Sequence, residues 1–281
     1  MATGWLDYTA AYDGRPNSVV GEVLVLPAVD SPQLGRRLDL LVYLPPSYHA
    51  DQRRYPVLYM QDGQNLFDRF TSYAGEWQVD EILESLASEE GLEAIVVGVP
   101  NGGVARLDEY SPWPDGVHGG GRAKDYLHFL VEVLRPLIDS SFRTLGSPQG
   151  TMVLGSSMGG LFSLWSFFEC PQVFAGAAAL SPSAQFAGSA LLRDLRHRRF
   201  RGGRIYLDVG TVEGPAPRWN RLLLGLQPRP YLRTVRETRN ALFDLGYRSG
   251  HDLEYVEEPG GSHNEQAWSR RLPGALRFLL R

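Results

Sequence analysis

Lysine is almost absent from this chain of 281 residues: Lys124 is the one lysine, and the other basic residues are all arginine. A P-loop needs Gly-Lys-Ser/Thr, and Lys124 lies in Arg122-Ala123-Lys124-Asp125, so a phosphate cradle of that type is excluded. Cysteine is as scarce. Cys170 alone can form neither an internal disulfide framework nor a cysteine-built zinc site, and its place before Pro171 reads as packing. No apolar stretch approaches the ~20 residues that span a bilayer. The longest, residues 173–180, is short and contains Gly176. The N-terminus, Met1-Ala2-Thr3-Gly4-Trp5-Leu6-Asp7, has neither the basic region nor the apolar core of a signal peptide, so a cytoplasmic protein without membrane insertion is expected. An excess of positive charge is missing too: Lys+Arg 28 against Asp+Glu 32 leaves a net −4, which argues against a nucleic-acid partner. The one dense basic run, Arg193, Arg196, Arg198, Arg199, Arg201 and Arg204, reads as a solvated helix end and turn. His49, His118, His128 and His197 show no metal-ligand spacing, and Gly119-Gly120-Gly121 lacks the strand-borne context of a dinucleotide site, so neither metal nor cofactor is expected.

What is present is a strand–helix alternation. Residues 19–29 and 37–44 alternate apolar and polar side chains, as half-buried antiparallel strands do, and Pro45-Pro46-Ser47 ends the second. Short apolar runs follow at 57–60, 94–99, 152–154, 174–180 and 205–209, suited to parallel strands covered on both faces. Between them lie amphipathic faces: Val79, Ile82, Leu83 and Leu86; then Tyr126, Phe129, Leu130, Val133, Leu134 and Leu137, with Pro136 expected to bend that helix near its end. Leu232, Val235, Thr238, Leu242 and Leu245 mark a third helix closed by Gly246. Residues 253–256 read as a last strand and 267–280 as a closing helix interrupted at Pro273-Gly274. The pattern predicts an α/β fold, a mostly parallel doubly wound sheet with antiparallel strands at its start, in one domain over residues 1–281. Trp77, Trp219 and Trp268 fit core positions as readily as a site. Ligands in such sheets sit beyond the carboxyl ends of the strands, so the long loops 101–122 and 210–230 are expected to border a site.

Gly155-Ser156-Ser157-Met158-Gly159 is the one Gly-x-Ser-x-Gly in the chain, and it joins a short apolar strand to a helical segment. That context holds a serine on a sharp, strained turn, with glycines letting it close and a helix N-terminus offering free N–H groups to an oxyanion. A serine hydroxyl needs a base within hydrogen-bond reach, and in this fold class the chain order is Ser, acid, His. Of the downstream histidines, His251 leads into the last strand, at the wrong end of the sheet. His263 follows it, in Pro259-Gly260-Gly261-Ser262-His263, where it can reach the serine. The acid belongs in the loop after the 205–209 strand. Glu213 occupies that loop, and Asp208, inside the strand, is its rival. One oxyanion donor would be the backbone of Met158, the other the turn Gly63-Gln64 in Tyr59-Met60-Gln61-Asp62-Gly63-Gln64-Asn65.

The chain resembles the esterase D-like family of α/β hydrolases, which includes enterochelin-type and feruloyl esterases. The resemblance rests on Tyr43-Leu44-Pro45-Pro46-Ser47-Tyr48, Asp62-Gly63-Gln64-Asn65-Leu66-Phe67, Gly155-Ser156-Ser157-Met158-Gly159-Gly160, Ser181-Pro182 and Gly261-Ser262-His263-Asn264-Glu265-Gln266-Ala267-Trp268. It implies Ser157 as nucleophile, Glu213 or its loop as the acid, His263 as base, and Gln64 and Met158 as oxyanion donors. The expected activity is hydrolysis of a small-molecule carboxylic ester through an acyl-enzyme. The alternatives are an acyltransferase with the same triad and a silent hydrolase-fold binding module. Arg106 could meet an anionic group of the substrate, with Tyr110 and Trp113 beside an aromatic or sugar-like one; equally, Arg106 could pair with Asp108 or Glu109.

Overall fold

The computed structural model describes residues 4–213 and 230–281; Trp219 and most of the 210–230 loop lie outside the described residues. Nine strands form one sheet among those residues: β1 (Leu6–Asp7), β2 (Glu22–Ser31), β3 (Arg36–Leu44), β4 (Val57–Gln61), β5 (Ile95–Val99), β6 (Thr151–Ser156), β7 (Gly176–Leu180), β8 (Arg204–Gly210) and β9 (Leu253–Glu258). Their order is β1-β2-β3-β5-β4-β6-β7-β8-β9. β1, β2, β3 and β5 pair antiparallel, and from β5 to β9 every pairing is parallel. The edge strand β1 carries no apolar run and has no counterpart in the sequence reading. A bulge between Leu26 and Val29, with Ala28 left-handed at φ 53°, bends β2.

The parallel strands are buried on both faces, which is why they read as short apolar runs. In β4, Val57 and Tyr59 enter one apolar layer while Leu58 and Met60 enter the other. The first layer is closed by a helical stretch from Ala123 to Ser141, by α6 (Met158–Glu169) and by α8 (Pro230–Asp244), whose Val235 and Leu242 are fully buried. Here α1 is Tyr8–Ala11, α2 Val79–Glu90, α3 Arg106–Tyr110, α4 Ala123–His128, α5 Arg135–Ser141 and α7 Phe186–Leu195. The second layer is closed by α2 and by α9 (Glu265–Leu280), through Leu83 and Leu86 of the one and Leu272 and Leu276 of the other.

One helix expectation is met and one corrected. The distortion expected from Pro136 is a π-helical turn, Phe129–Leu134, between α4 and α5. Pro136 has no N–H for the ladder and its ring crowds the carbonyl four residues back, that of Glu132, inside this turn. The closing helix is continuous through Pro273-Gly274. Its buried face, Leu272, Ala275, Leu276 and Leu279, extends across the proline, and that packing outweighs one missing backbone bond. Among the described residues no helix is long and apolar enough to cross a membrane.

Candidate active site

The carboxyl ends of β4, β6, β7, β8 and β9 share one edge of the sheet, and the loops leaving them carry the polar cluster. Ser157 stands at the turn between β6 and α6 with φ 54° and ψ −119°, a conformation that costs a residue bearing a Cβ about 1–3 kcal/mol. Three backbone bonds hold it there: Ser157 N–H donates to Leu180 O at 3.0 Å, and its carbonyl accepts from Leu161 at 3.0 Å and Ser183 at 2.9 Å. Glycine is required next door, because a Cβ on Gly155 would lie 2.5 Å from Gln61 Oε1 and 2.8 Å from the carbonyl carbon of Gly159. The first-turn N–H groups of α6, Met158 among them, have no intrahelical acceptor and carry the positive end of the helix dipole.

His263, in the loop after β9, places Nε2 2.9 Å from Ser157 Oγ and Nδ1 3.1 Å from Glu213 Oε2. Its side chain is 23% exposed, that of Glu213 0%. The ring packs against Tyr231 and Trp268, at 4.4 Å and 5.0 Å between centroids. Asn264 caps α9 by accepting from Ala267 N–H at 3.0 Å, which anchors the residue after the histidine. The second oxygen of Glu213 accepts from Gly210 N–H at 2.6 Å and from the Ser181 hydroxyl. Asp208 does not reach the imidazole. It is fully buried, accepts from Ser181 N–H at 2.9 Å and pairs with Arg271 at 3.0 Å. Burial pushes its carboxyl up to about 7, although the Arg271 guanidinium and the Ser181 N–H act in the opposite sense. Ser157 Oγ also lies 3.1 Å from Ser183 Oγ, itself 3.2 Å from the Tyr231 hydroxyl.

The loop after β4 is equally constrained. Asp62 is left-handed at φ 58°, and a Cβ on Gly63 would lie 2.5 Å from the carbonyl carbon of Gly98. The Asp62 carboxylate takes both arms of the Arg106 fork at 2.7 Å and the Asn101 side-chain amide at 2.6 Å, while Asp62 N–H donates to the Tyr110 hydroxyl at 3.0 Å. Gln64 uses its side chain within the loop, accepting from Asn101 N–H at 3.3 Å. These contacts correct the sequence reading of Arg106 and Tyr110. Arg106 pairs with Asp62, not with Asp108 or Glu109, and its fork is occupied; Glu109 is taken by Arg36 at 2.8 Å. Tyr110 is fully buried and supports Asp62 from beneath, so its ring cannot line a substrate site. Trp113 is half-buried against the core.

Sequence reasoning missed Ser181, Ser183, Tyr231 and Arg271. Arg271 had a signal: it is three residues from Trp268 on one helical face, next to Leu272 in the apolar stripe of α9, where an arginine must have buried partners. Of metal-capable groups, Glu76, Asp80 and Glu81 bring carboxylate oxygens within 4.8 Å of one another. Asp80 there accepts Val20 N–H at 2.7 Å, tying the approach to β2 onto α2.

A mostly parallel sheet with a strained serine at a strand–helix turn and an imidazole beyond the last strand defines an α/β hydrolase. The family described as "Putative esterase" matches residues 31–279, and the chain belongs to that family of ester hydrolases. It is 27% identical over 245 residues to the uncharacterized protein YbbA of Bacillus subtilis, covering 85% of this chain and 90% of that one. Two solved structures share the fold. An IroE-like serine hydrolase from Shewanella oneidensis has a TM-score of 0.69 at 21% identity, over 90% of this chain and 78% of that one. The enterobactin esterase FES from Shigella flexneri, solved in the presence of enterobactin, has 0.68 at 19%, over 94% and 58%.

Proposed function

We propose that the protein is a serine carboxylic-ester hydrolase in which Ser157, His263 and Glu213 form the catalytic triad. One observation carries the reading: Glu213 Oε2, both ring nitrogens of His263 and Ser157 Oγ lie in an unbroken line of contacts at 3.1 and 2.9 Å. Ser157 Oγ attacks the ester carbonyl as His263 Nε2 takes its proton. The oxyanion that forms is met by the backbone N–H groups of Met158 and Gln64; losing one such donor costs about 3 kcal/mol of transition-state stabilisation. The imidazolium, stabilised by Glu213, returns the proton to the departing alkoxide, and the acyl group stays on Ser157. Water, deprotonated by the same imidazole, then releases the acid. Arg106 acts from behind, holding Asp62 left-handed so that the following residues present backbone N–H groups to the site.

The substrate is a small-molecule carboxylic ester. Because a structural neighbour is an enterobactin esterase, a catechol ester belongs beside alkyl and aryl esters in the first substrate panel. Hydrolysis of p-nitrophenyl acetate or butyrate is expected of the wild type. Ser157→Ala is expected to lose it with an unchanged far-UV spectrum, and a fully active Ser157→Ala protein would refute the nucleophile.

A further inference from the structure

We propose that Ser181 is a positioning residue of this triad: its hydroxyl, aimed by Trp268 and Arg271, donates its single proton to Glu213 and so fixes which nitrogen of His263 is free. The inference rests on the triad reading above and deepens it.

A serine hydroxyl has one proton to give and two lone pairs to offer. Ser181 Oγ accepts from Trp268 Nε1–H at 3.1 Å and from Arg271 Nη2–H at 2.6 Å. Neither an indole N–H nor a guanidinium can accept in return, so both lone pairs of the hydroxyl are committed. Its proton has one remaining direction, toward Glu213 Oε1, with which it is in contact. That oxygen also receives Gly210 N–H at 2.6 Å, and the Arg271 guanidinium lies 3.5 Å away. With two donors already on Oε1, the carboxylate is left to accept through Oε2. An acceptor 3.1 Å from His263 Nδ1 places the imidazole proton on Nδ1. Nε2 then faces Ser157 Oγ at 2.9 Å with a bare lone pair, the tautomer a general base requires.

The backbone of Ser181 is specified as tightly as its hydroxyl. At φ 44° it is left-handed, and its N–H donates to both the backbone and the side chain of Asp208, at 3.1 and 2.9 Å. This gives the buried Asp208 a task outside the triad: it holds the residue that orients the triad's acid, and it shares Arg271 with Glu258, at 3.0 and 2.6 Å. The charged groups around the acid are therefore Asp208, Glu258 and Arg271; the imidazole is faced by the Glu265 carboxyl and by the phenol ring of Tyr231.

The test pairs Ser181→Gly with Trp268→Phe. Glycine suits the left-handed backbone at 181, so that variant removes the hydroxyl without adding strain; Ser181→Ala is made beside it. Both position-181 variants are expected to lose about 10- to 100-fold in kcat with KM within about twofold, as removal of a supporting shell does. The acidic limb of the kcat/KM profile is expected to move up by about half a pH unit, because negative charge no longer drawn to Oε1 concentrates beside the imidazole. Trp268→Phe is expected to lower kcat by about fivefold in the wild type and by clearly less on Ser181→Gly, because the part of its effect carried by that hydroxyl is already gone while its ring contact with His263 is not. Wild-type kcat and an unmoved limb in folded Ser181→Gly, or full additivity of the two substitutions, would overturn the proposal. Ser157→Ala and His263→Ala are measured in parallel: activity surviving in those variants removes the triad reading itself, whereas their loss beside a fully active Ser181→Gly removes only the role of Ser181.

Discussion

Replacing Glu213 by glutamine tests the assignment of the acid, because the structure dictates how the new amide must lie. Two donors, Gly210 N–H and the Ser181 hydroxyl, meet at the Oε1 position. Only the carbonyl oxygen of glutamine can accept from them, so its NH2 group turns to His263 Nδ1, where Glu213 Oε2 stood 3.1 Å away. A donor facing Nδ1 forces the imidazole proton onto Nε2, against Ser157 Oγ, and the base is lost. An enforced wrong tautomer costs about 10⁴ in kcat, or about 5 kcal/mol of barrier. Asp208→Asn is the control. Its amide oxygen still accepts Ser181 N–H and no contact with the imidazole is removed, so kcat is expected to stay within about tenfold of wild type. Its effect falls on stability, and the sign follows from burial. The folded carboxyl titrates near 7 against an ordinary 3.8, so between those values the folded state keeps a proton that the unfolded chain has released. Stability of the wild type therefore falls as pH rises through that window, and Asp208→Asn, lacking the titration, is expected to gain relative to wild type from pH 4 to pH 8. The assay is p-nitrophenyl butyrate hydrolysis with thermal unfolding at several pH values. An inactive Asp208→Asn beside an active Glu213→Gln would exchange the roles of the two acids and refute the reasoning.

Other expectations follow from strain and burial. Ser157→Gly should unfold at higher free energy than Ser157→Ala by about 1–2 kcal/mol, since glycine alone relaxes at φ 54° and ψ −119°; equal stability in urea titrations would deny strain at the turn. Arg106→Gln, which leaves the nearly buried Asp62 carboxylate without its counter-ion, should lower the unfolding temperature and reduce kcat by about 10- to 100-fold at temperatures where the variant is folded, and wild-type kcat in the folded variant would remove Arg106 from the support of the oxyanion loop. Burial holds the Asp80 carboxyl well above the carboxylate range, so its charged form opposes folding. Asp80→Asn keeps an acceptor for Val20 N–H and should stabilise the protein at pH 8 but not at pH 4; a uniform loss across that range would contradict the sign.

The parts legible in the sequence are those written locally. Gly155, Ser157 and Gly159 lie within five residues between a strand pattern and a helix pattern, so the turn can be read without tertiary knowledge. His263 and Glu213 are found by topology, because loops after parallel strands must share one edge of the sheet. What escaped depends on contacts far apart in the chain. Arg106 suggested neighbours two and three residues away, yet its partner Asp62 is 44 residues distant. Ser181 meets Trp268 and Arg271 across 87 and 90 residues, and no periodicity encodes that meeting. Tyr110 misled because an aromatic in a long glycine-rich loop resembles a substrate contact, whereas α3 turns it into the core beneath Asp62. Pro273 misled because proline's lost bond is local, while the apolar face that carries α9 through it is not.

Covalent trapping tests the central claim most directly. A fluorophosphonate reacts with a serine that an adjacent base has activated and leaves an adduct that mass spectrometry can place. The account predicts one phosphonyl group per chain, on the peptide containing Ser157, with esterase activity lost in step and no labelling of Ser157→Ala. Labelling at another residue, or full hydrolysis in a protein phosphonylated at Ser157, would contradict it.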